Sequence, residues 1–272
     1  MATNGKIVVG TDFRAEADRA IDRAVKLGEK WNAEVVLVHA LGHAVTEPPP
    51  QNILDERMRS VLPQQNNGIR FRYPRQCAAD GVISVAQEED ARLIVLGLAR
   101  SRGVKEFLLG TVVEHVICRS PVPVLVAKNR ATRCYANVAC ATDFHPPSLE
   151  AFKKAMGLFD DADFQLIHAF EVPFERWQNR ETARHGAAKF YKGLFEKILN
   201  ELSSDARKRV TTQLVYGGAG TVLQNDILNS GADLLVLGNQ GESRLRRAII
   251  GSTANSLLRA LPIDMLVIGE PN

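Results

Sequence analysis

An α/β chain of two tandem, doubly wound domains is what the sequence predicts, on three observations. Short β-branched runs alternate with stretches whose apolar residues recur at helical spacing. Strands that alternate with helices argue for parallel sheets covered on both faces, with right-handed crossovers. The order of landmarks in the first half also repeats after residue 132, so the chain reads as a duplication.

The elements follow in order. Lys6–Val9 is a β-branched run ending at Gly10-Thr11-Asp12-Phe13. Ala17, Ala20, Ile21, Ala24, Val25 and Gly28 mark the inner face of an amphipathic helix. Glu34–Ala40 is a second strand, and Pro48-Pro49-Pro50 requires a loop. A short helix near Leu54–Leu62, a third strand over Ile69–Tyr73 and a helix over Val82–Glu88 come next. Leu93–Leu96 is a fourth strand, Val112, Val113, Val116 and Ile117 mark a helix, and Pro121–Ala127 is a fifth strand.

Then the pattern restarts. Tyr135–Ala141 leads into Thr142-Asp143-Phe144, matching Thr11-Asp12-Phe13. A helix from about Ser148 carries Leu149, Phe152, Ala155, Met156 and Phe159 on one face. Leu166-Ile167-His168-Ala169 repeats Leu37-Val38-His39-Ala40, and the run from Asp233 to Gly238 repeats that from Arg92 to Gly97. Gly251-Ser252 repeats Gly110-Thr111, and Ile263–Ile268 repeats Val122–Ala127. The second half differs mainly by a longer helix over Thr182–Leu202, with Phe190, Leu194, Ile198 and Leu202 on one face. The boundary falls in the polar segment Asn129–Arg133, giving domains 1–131 and 132–272.

Composition narrows the function classes. Hydrophobic residues make up 45% and charged residues 24%, as in an ordinary globular protein. A net charge of +3 is too mild to argue for nucleic acid. No apolar run approaches the roughly 20 residues of a membrane span. The start MATNGKIVVG runs directly into a strand without a signal-peptide layout, so a cytoplasmic location is expected. Cys77, Cys118, Cys134 and Cys140 show no CxxC or zinc spacing, so no metal site is predicted, and Cys118 and Cys140 are expected in the core.

The stretch richest in chemistry is Leu234–Ala260. An apolar run ends at Gly238, Gly241 follows, Arg244, Arg246 and Arg247 form a basic loop, and Gly251-Ser252-Thr253 opens a helix. Glycines let backbone curl around an anion, and a helix N-terminus offers unpaired N–H groups and a positive dipole end. Hydroxyls at that end can bond phosphate oxygens, so the stretch reads as a phosphate cradle. The plain alternative is a strand–loop–helix junction with Ser252 as an ordinary N-cap. No GK[ST] follows the glycines and the G-x-G-x-x-G order is absent, so neither a Walker loop nor a Rossmann fingerprint is present.

Gly, two residues, Gly, nine residues, Gly-Ser, joined to the duplicated Thr-Asp-Phe and the strand ending in His-Ala, resembles the universal stress protein family. The resemblance covers nearly the whole chain as two copies. It implies flavodoxin-like domains of five parallel strands, adenine-nucleotide binding, and pseudo-twofold pairing of the two fifth strands. By the same resemblance Thr142 and Asp143 face the adenosine end, the backbone of Ala169 meets adenine, Gly238 lies near the ribose, and Gly241, Gly251, Ser252 and Thr253 hold the phosphates. The implied cofactor is ATP, with Mg an optional companion.

The first half departs from the signature: Arg100 stands where the second glycine is expected. The expectation is one nucleotide-binding half, the second, and one structural or regulatory half. Asp12 is then read as a helix cap, Asp143 as a ligand contact, and His39 and His168 as structural. No catalytic residue is assigned. A slow ATP hydrolase stays open, though no base and metal-ligand constellation supports it. So does a ligand-carrier or interaction module without nucleotide, motivated by Phe170, Phe174 and Trp177. The protein partner is unknown, and a further homodimer is left open.

Overall fold

The structure is a computed structural model, and it describes residues 5–63, 68–98, 111–172, 180–239 and 250–269. Gly241, Arg100, Gly110, the loop arginines 244, 246 and 247, Phe174 and Trp177 lie outside the described residues. Two compact units divide the chain, and they do not follow the repeat. The first holds Met1–Cys134 together with Asn239–Asn272, and the second holds Tyr135–Gly238.

The first unit begins with β1 (Lys6–Gly10), α1 (Ala15–Trp31), β2 (Glu34–Val38), α2 (Gln51–Ser60), β3 (Arg70–Arg72), α3 (Ala78–Glu88), β4 (Ala91–Gly97), α4 (Thr111–Arg119) and β5 (Val124–Ala127). The second unit contains β6 (Asn137–Ala141), α5 (Pro146–Leu158), β7 (Asp163–Phe170), α6 (Arg180–Asn200), α7 (Ser204–Lys208), β8 (Val210–Tyr216), α8 (Ala219–Asn229) and β9 (Leu234–Asn239). The chain then returns to the first unit with α9 (Ser252–Ala260) and β10 (Asp264–Gly269).

In the first unit the strands run β3-β2-β1-β4-β5-β10. All neighbours are parallel except the last pair. The β1/β4 boundary is where strand order reverses, the place where open α/β sheets bind ligands beyond their carboxyl ends. The near-continuous apolar runs fit a sheet covered on both faces: Ile7, Val8, Val9, Leu93, Ile94 and Val95 are all buried. The α1 face expected from spacing is the buried one, including Ala17, Ala20, Ile21, Ala24, Val25 and Gly28.

The second unit orders four parallel strands as β9-β6-β7-β8, with the corresponding reversal between β9 and β6. The fifth strand of the second repeat, β10, is antiparallel to β5 of the first, with Met265 opposite Val126 and Val267 opposite Val124. That is the fifth-strand pairing the resemblance implied.

A buried polar cluster holds this junction. Asp264 Oδ1 accepts the N–H groups of Lys128 (2.8 Å) and Asn129 (3.0 Å), and Asp264 Oδ2 pairs with Arg23 at 3.1 Å. The Lys128 ammonium donates to the carbonyls of Leu258 (2.6 Å) and Leu261 (2.8 Å), which capping by a cation suits at the α9 C-terminus. Lys128 is only 2% exposed. Burial pulls its pKa down to about 7, against the opposing pull of the Asp264 carboxylate.

Three expectations shift. Phe190, expected on the inner face of α6, is exposed, whereas Ile198 is buried as expected and Phe195 and Leu199 are buried with it. Helix α5 starts at Pro146, two residues earlier than expected, because proline suits a first turn whose N–H needs no partner. Cys140 is buried as expected, whereas Cys118 is only half-buried.

Candidate functional site

The Thr-Asp-Phe repeat builds the same turn twice. In the second unit, Thr142 Oγ1 accepts the Phe144 N–H at 3.0 Å, and Asp143 Oδ1 accepts the His145 N–H at 3.1 Å. Phe144 then takes a left-handed φ of +65°. In the first unit Thr11 Oγ1 accepts from Phe13 (3.1 Å), Asp12 Oδ1 accepts from Arg14 (3.0 Å), and Phe13 sits at +62°. A left-handed residue with a Cβ is disfavoured by about 1–2 kcal/mol, and two side-chain-to-backbone bonds offset it. Each phenylalanine ring also lies against the histidine of the next strand, with centroids 4.3 Å apart for Phe13–His39 and 4.6 Å for Phe144–His168.

These bonds revise the cap reading. The N-caps of α1 and α5 are Arg14 and His145, and neither helix has a side-chain cap bond. Asp12 and Asp143 bond the N–H of the cap residue itself, which shapes the turn and turns the carboxylate outward. Asp143 is further fixed by Ser148, whose hydroxyl lies 2.8 Å from Asp143 Oδ1, 2.9 Å from Thr142 Oγ1 and 3.0 Å from the His145 carbonyl. One hydroxyl proton serves only one acceptor at a time, so Ser148 ties these groups into a single alternating set. Ala17 takes the matching place in the first unit, so Asp12 has no such support. Sequence reasoning missed Ser148; the readable signal was a hydroxyl in the first helical turn, five residues past Asp143.

The Asp143 side chain is 43% exposed. It stands at the carboxyl end of β6, beside the reversal of strand order. Ala169 is at the carboxyl end of the neighbouring β7, paired with Val215 of β8.

His168 is nearly buried, and its Nδ1 lies 2.8 Å from the Thr142 carbonyl. A carbonyl only accepts, so Nδ1 carries the proton and Nε2 a lone pair. Nε2 has no hydrogen-bond partner among the described residues. Burial lowers the pKa of His168, outweighing the Thr142 carbonyl and the Asp143 carboxylate, and keeps the ring neutral. Phe144 and Tyr191 lie against it, with Tyr191 4.4 Å from the His168 ring and 5.3 Å from that of Phe170. Phe170 thus packs under α6.

The glycines part company. A Cβ on Gly238 would lie 2.6 Å from the Pro147 carbonyl oxygen and 2.9 Å from Ser148 Cα. Gly97 repeats this against the Glu16 carbonyl oxygen. The first glycine of the signature is therefore demanded by the helix N-terminus packed on its strand. In the other unit, Gly251 is the N-cap of α9, and a Cβ there would meet none of the described residues within 4 Å. Ser252 is the first residue of α9 rather than its cap, and Gly251 and Ser252 are exposed. That helix end has no side-chain cap bond among the described residues and carries two hydroxyls, Ser252 and Thr253.

Of the expected site residues, Thr142, Asp143, Ala169 and Gly238 thus fall in the second unit, at the carboxyl ends of its strands. Gly251, Ser252 and Thr253 fall in the first unit.

The first unit also has a cavity of about 400 Å³ at the carboxyl ends of β1, β2 and β4, with Thr11, Asp12, Ala40, Gly97, Leu98 and Val113 among its walls. Its position matches the ligand site of doubly wound sheets. Among the described residues no group of three His, Cys, Asp or Glu side chains could hold a metal, and no helix is long and apolar enough to cross a membrane.

Comparison with known proteins agrees with the duplicated pattern. The model of the Universal stress protein family matches residues 3–128 and again 135–269. A Staphylococcus epidermidis protein carried under the universal stress protein name is 27% identical over 143 residues, covering 49% of this chain and 84% of that one. Among solved structures, a universal stress protein from Archaeoglobus fulgidus is similar with a TM-score of 0.68 at 17% identity, covering 98% of this chain and 99% of that one. A Pseudomonas aeruginosa protein described as functionally unknown is similar with a TM-score of 0.63 at 17% identity, covering 99% and 94%. These two likenesses speak to the fold alone. With both halves matched by the family model, the chain belongs to the universal stress protein family.

Proposed function

We propose that the chain is a nucleotide-binding regulatory protein of the stress response, working in the cytoplasm, with ATP as its ligand and Mg as an optional companion. The repeat halves 1–131 and 132–272 are its modules, and the second holds the nucleotide. Thr142, Asp143 and the Ala169 backbone serve the nucleoside end. Gly241, Gly251, Ser252 and Thr253 serve the phosphates, while Gly238 acts through packing. The observation that carries this reading is the Asp143 carboxylate, braced by Ser148 and the His145 N–H yet half exposed beside the strand-order reversal. A braced acceptor at that place suits a ribose hydroxyl or a base N–H, because its geometry is set before binding. Isothermal titration calorimetry with ATP tests it. Removing a charge-assisted hydrogen bond costs about 1.5–3 kcal/mol, so Asp143→Ala should weaken binding by roughly 10- to 100-fold. No heat with the unaltered chain would overturn the proposal.

The cavity in the first unit supports a second reading, in which the first half also takes a nucleoside-sized ligand. Its volume of about 400 Å³ is that of an ordinary small-molecule site. Binding stoichiometry separates the two readings. One site per chain, lost with Asp143→Ala and kept with Asp12→Ala, supports the first; two sites, each lost with its own aspartate, support the second.

A further inference from the structure

In each unit the ladder between the first two strands of the repeat stops short, and the same side chains stop it. Alternate residues of a parallel strand turn both their N–H and their C=O to one neighbour. In the second unit the Asp163 N–H donates to the Ala136 carbonyl and the Thr142 N–H to the Ile167 carbonyl, each at 2.9 Å. The odd positions of β7 therefore face β6, and Ala169 is the next of them. A ladder carried further would join the Ala169 N–H to the Thr142 carbonyl, and the Phe144 N–H to the Ala169 carbonyl. Neither bond is present. The Thr142 carbonyl lies 2.8 Å from His168 Nδ1 instead, and the Phe144 N–H donates to Thr142 Oγ1 at 3.0 Å.

The first unit does the same. The Glu34 N–H donates to the Gly5 carbonyl at 3.1 Å and the Thr11 N–H to the Val38 carbonyl at 2.9 Å. Ala40 is thus the next residue to face β1. His39 Nδ1 lies 3.0 Å from the Thr11 carbonyl, and the Phe13 N–H donates to Thr11 Oγ1 at 3.1 Å. Among the described residues neither alanine has a hydrogen-bond partner for its N–H or its C=O. Ala169 stands at the carboxyl end of β7, on the side of β6 and Asp143, and Ala40 is in the wall of the cavity of about 400 Å³. A half-buried backbone donor and acceptor left together are costly unless water or a ligand meets them, yet the fold makes this arrangement twice.

We propose that His168 and His39 are positioning residues. Each ring holds the carbonyl that the ladder would use next, and so keeps the N–H and C=O of the following alanine open. The open pair fits the edge of a planar heterocycle that carries an acceptor beside a donor, as the pairing edge of adenine does. Only the identity of the ligand rests on the nucleotide reading above. Phe144 in one unit and Phe13 in the other pack on the imidazole and hold it to its task. The threonine hydroxyl completes the diversion by taking the phenylalanine N–H. A histidine kept for packing alone would have no reason to choose, in both units, the one carbonyl at which the ladder ends.

Amide hydrogen exchange of the full chain, read residue by residue by NMR, tests this without any ligand. In the unaltered chain the Ala169 amide should exchange as an unbonded one, while Ile167 is protected. His168→Phe removes the ring N–H and frees the Thr142 carbonyl. The ladder then gains a rung, and exchange at Ala169 should slow by about tenfold, the worth of one neutral hydrogen bond. His168→Asn keeps an N–H near the place of Nδ1 and should leave Ala169 fast. Loss of a histidine needed only for packing would do the reverse, speeding exchange across the unit and slowing it nowhere. Calorimetry adds the ligand: His168→Phe should weaken ATP binding by about 3- to 10-fold, and His168→Asn by less than about twofold. No heat from the unaltered chain would sink the nucleotide reading, and the amide measurement would then decide alone. Should His168→Phe fail to fold, His39→Phe and the Ala40 amide give the same measurement in the first unit, where the ring is half-buried. A protected Ala169 in the unaltered chain, an Ala169 still fast in folded His168→Phe, or ATP binding untouched by that variant would each overturn the proposal.

Discussion

Gly238 and Gly251 fill equivalent-looking places in the signature, yet only one is needed for the fold. Gly238 has the Pro147 carbonyl where its Cβ would stand, whereas a Cβ on Gly251 would meet none of the described residues within 4 Å. Overpacking of this kind costs about 1–3 kcal/mol. We therefore expect Gly238→Ala to lower stability by that amount in urea denaturation. Gly251→Ala should cost less than about 1 kcal/mol, the ordinary difference between the two residues at an N-cap. His168 supplies a pH dependence at the same scale. Its folded-state pKa lies below the ordinary 6.5, chiefly because burial disfavours the cation. The unfolded chain thus takes up the proton first, and stability present above pH 6.5 is lost as pH falls below it. Melting temperature should drop between pH 7 and pH 5 more steeply for the unaltered chain than for His168→Gln.

At the scale of elements, Lys128 gives α9 a distinctive titration. Its ammonium releases a proton near pH 7 in the fold and near its ordinary 10.5 in the unfolded chain. Between those values the unfolded chain binds more protons, so this group makes stability rise with pH from about 7 towards 10.5 and adds no slope below 7. One proton corresponds to at most about 1.4 kcal/mol per pH unit. Lys128→Met should flatten that part of a denaturation profile measured from pH 7 to pH 10. Which elements the sequence disclosed follows from their physics. Strands buried on both faces, such as β1 and β4, announce themselves by unbroken apolar residues. The Thr-Asp-Phe turn is legible because two short polar side chains and a following aromatic are an unusual sequence to see twice. The place of β8 in the chain was not legible from spacing, since an edge strand half open to water mixes Thr, Gln and Leu without clear periodicity. The brace from Ser148 was hidden because nothing in a linear spacing says which hydroxyl folds back on which carboxylate.

For the whole molecule, Asp264 is the residue on which the junction of β5 and β10 turns. It is buried, as is its partner Arg23, and it accepts two backbone N–H groups besides. Removing one member of a buried charged set strands the others, at a cost of about 3–5 kcal/mol. Asp264→Ala should show that loss in chemical denaturation.

The return of β10 to the first unit also bears on how the protein is made. A ribosome releases the nine strands and helices from β1 to β5 more than a hundred residues before it releases the strand that lies against β5. Until then the apolar β5 edge stands without its antiparallel neighbour. The second unit, whose four strands are contiguous in sequence, can close earlier, so the part of the chain begun first is the part completed last.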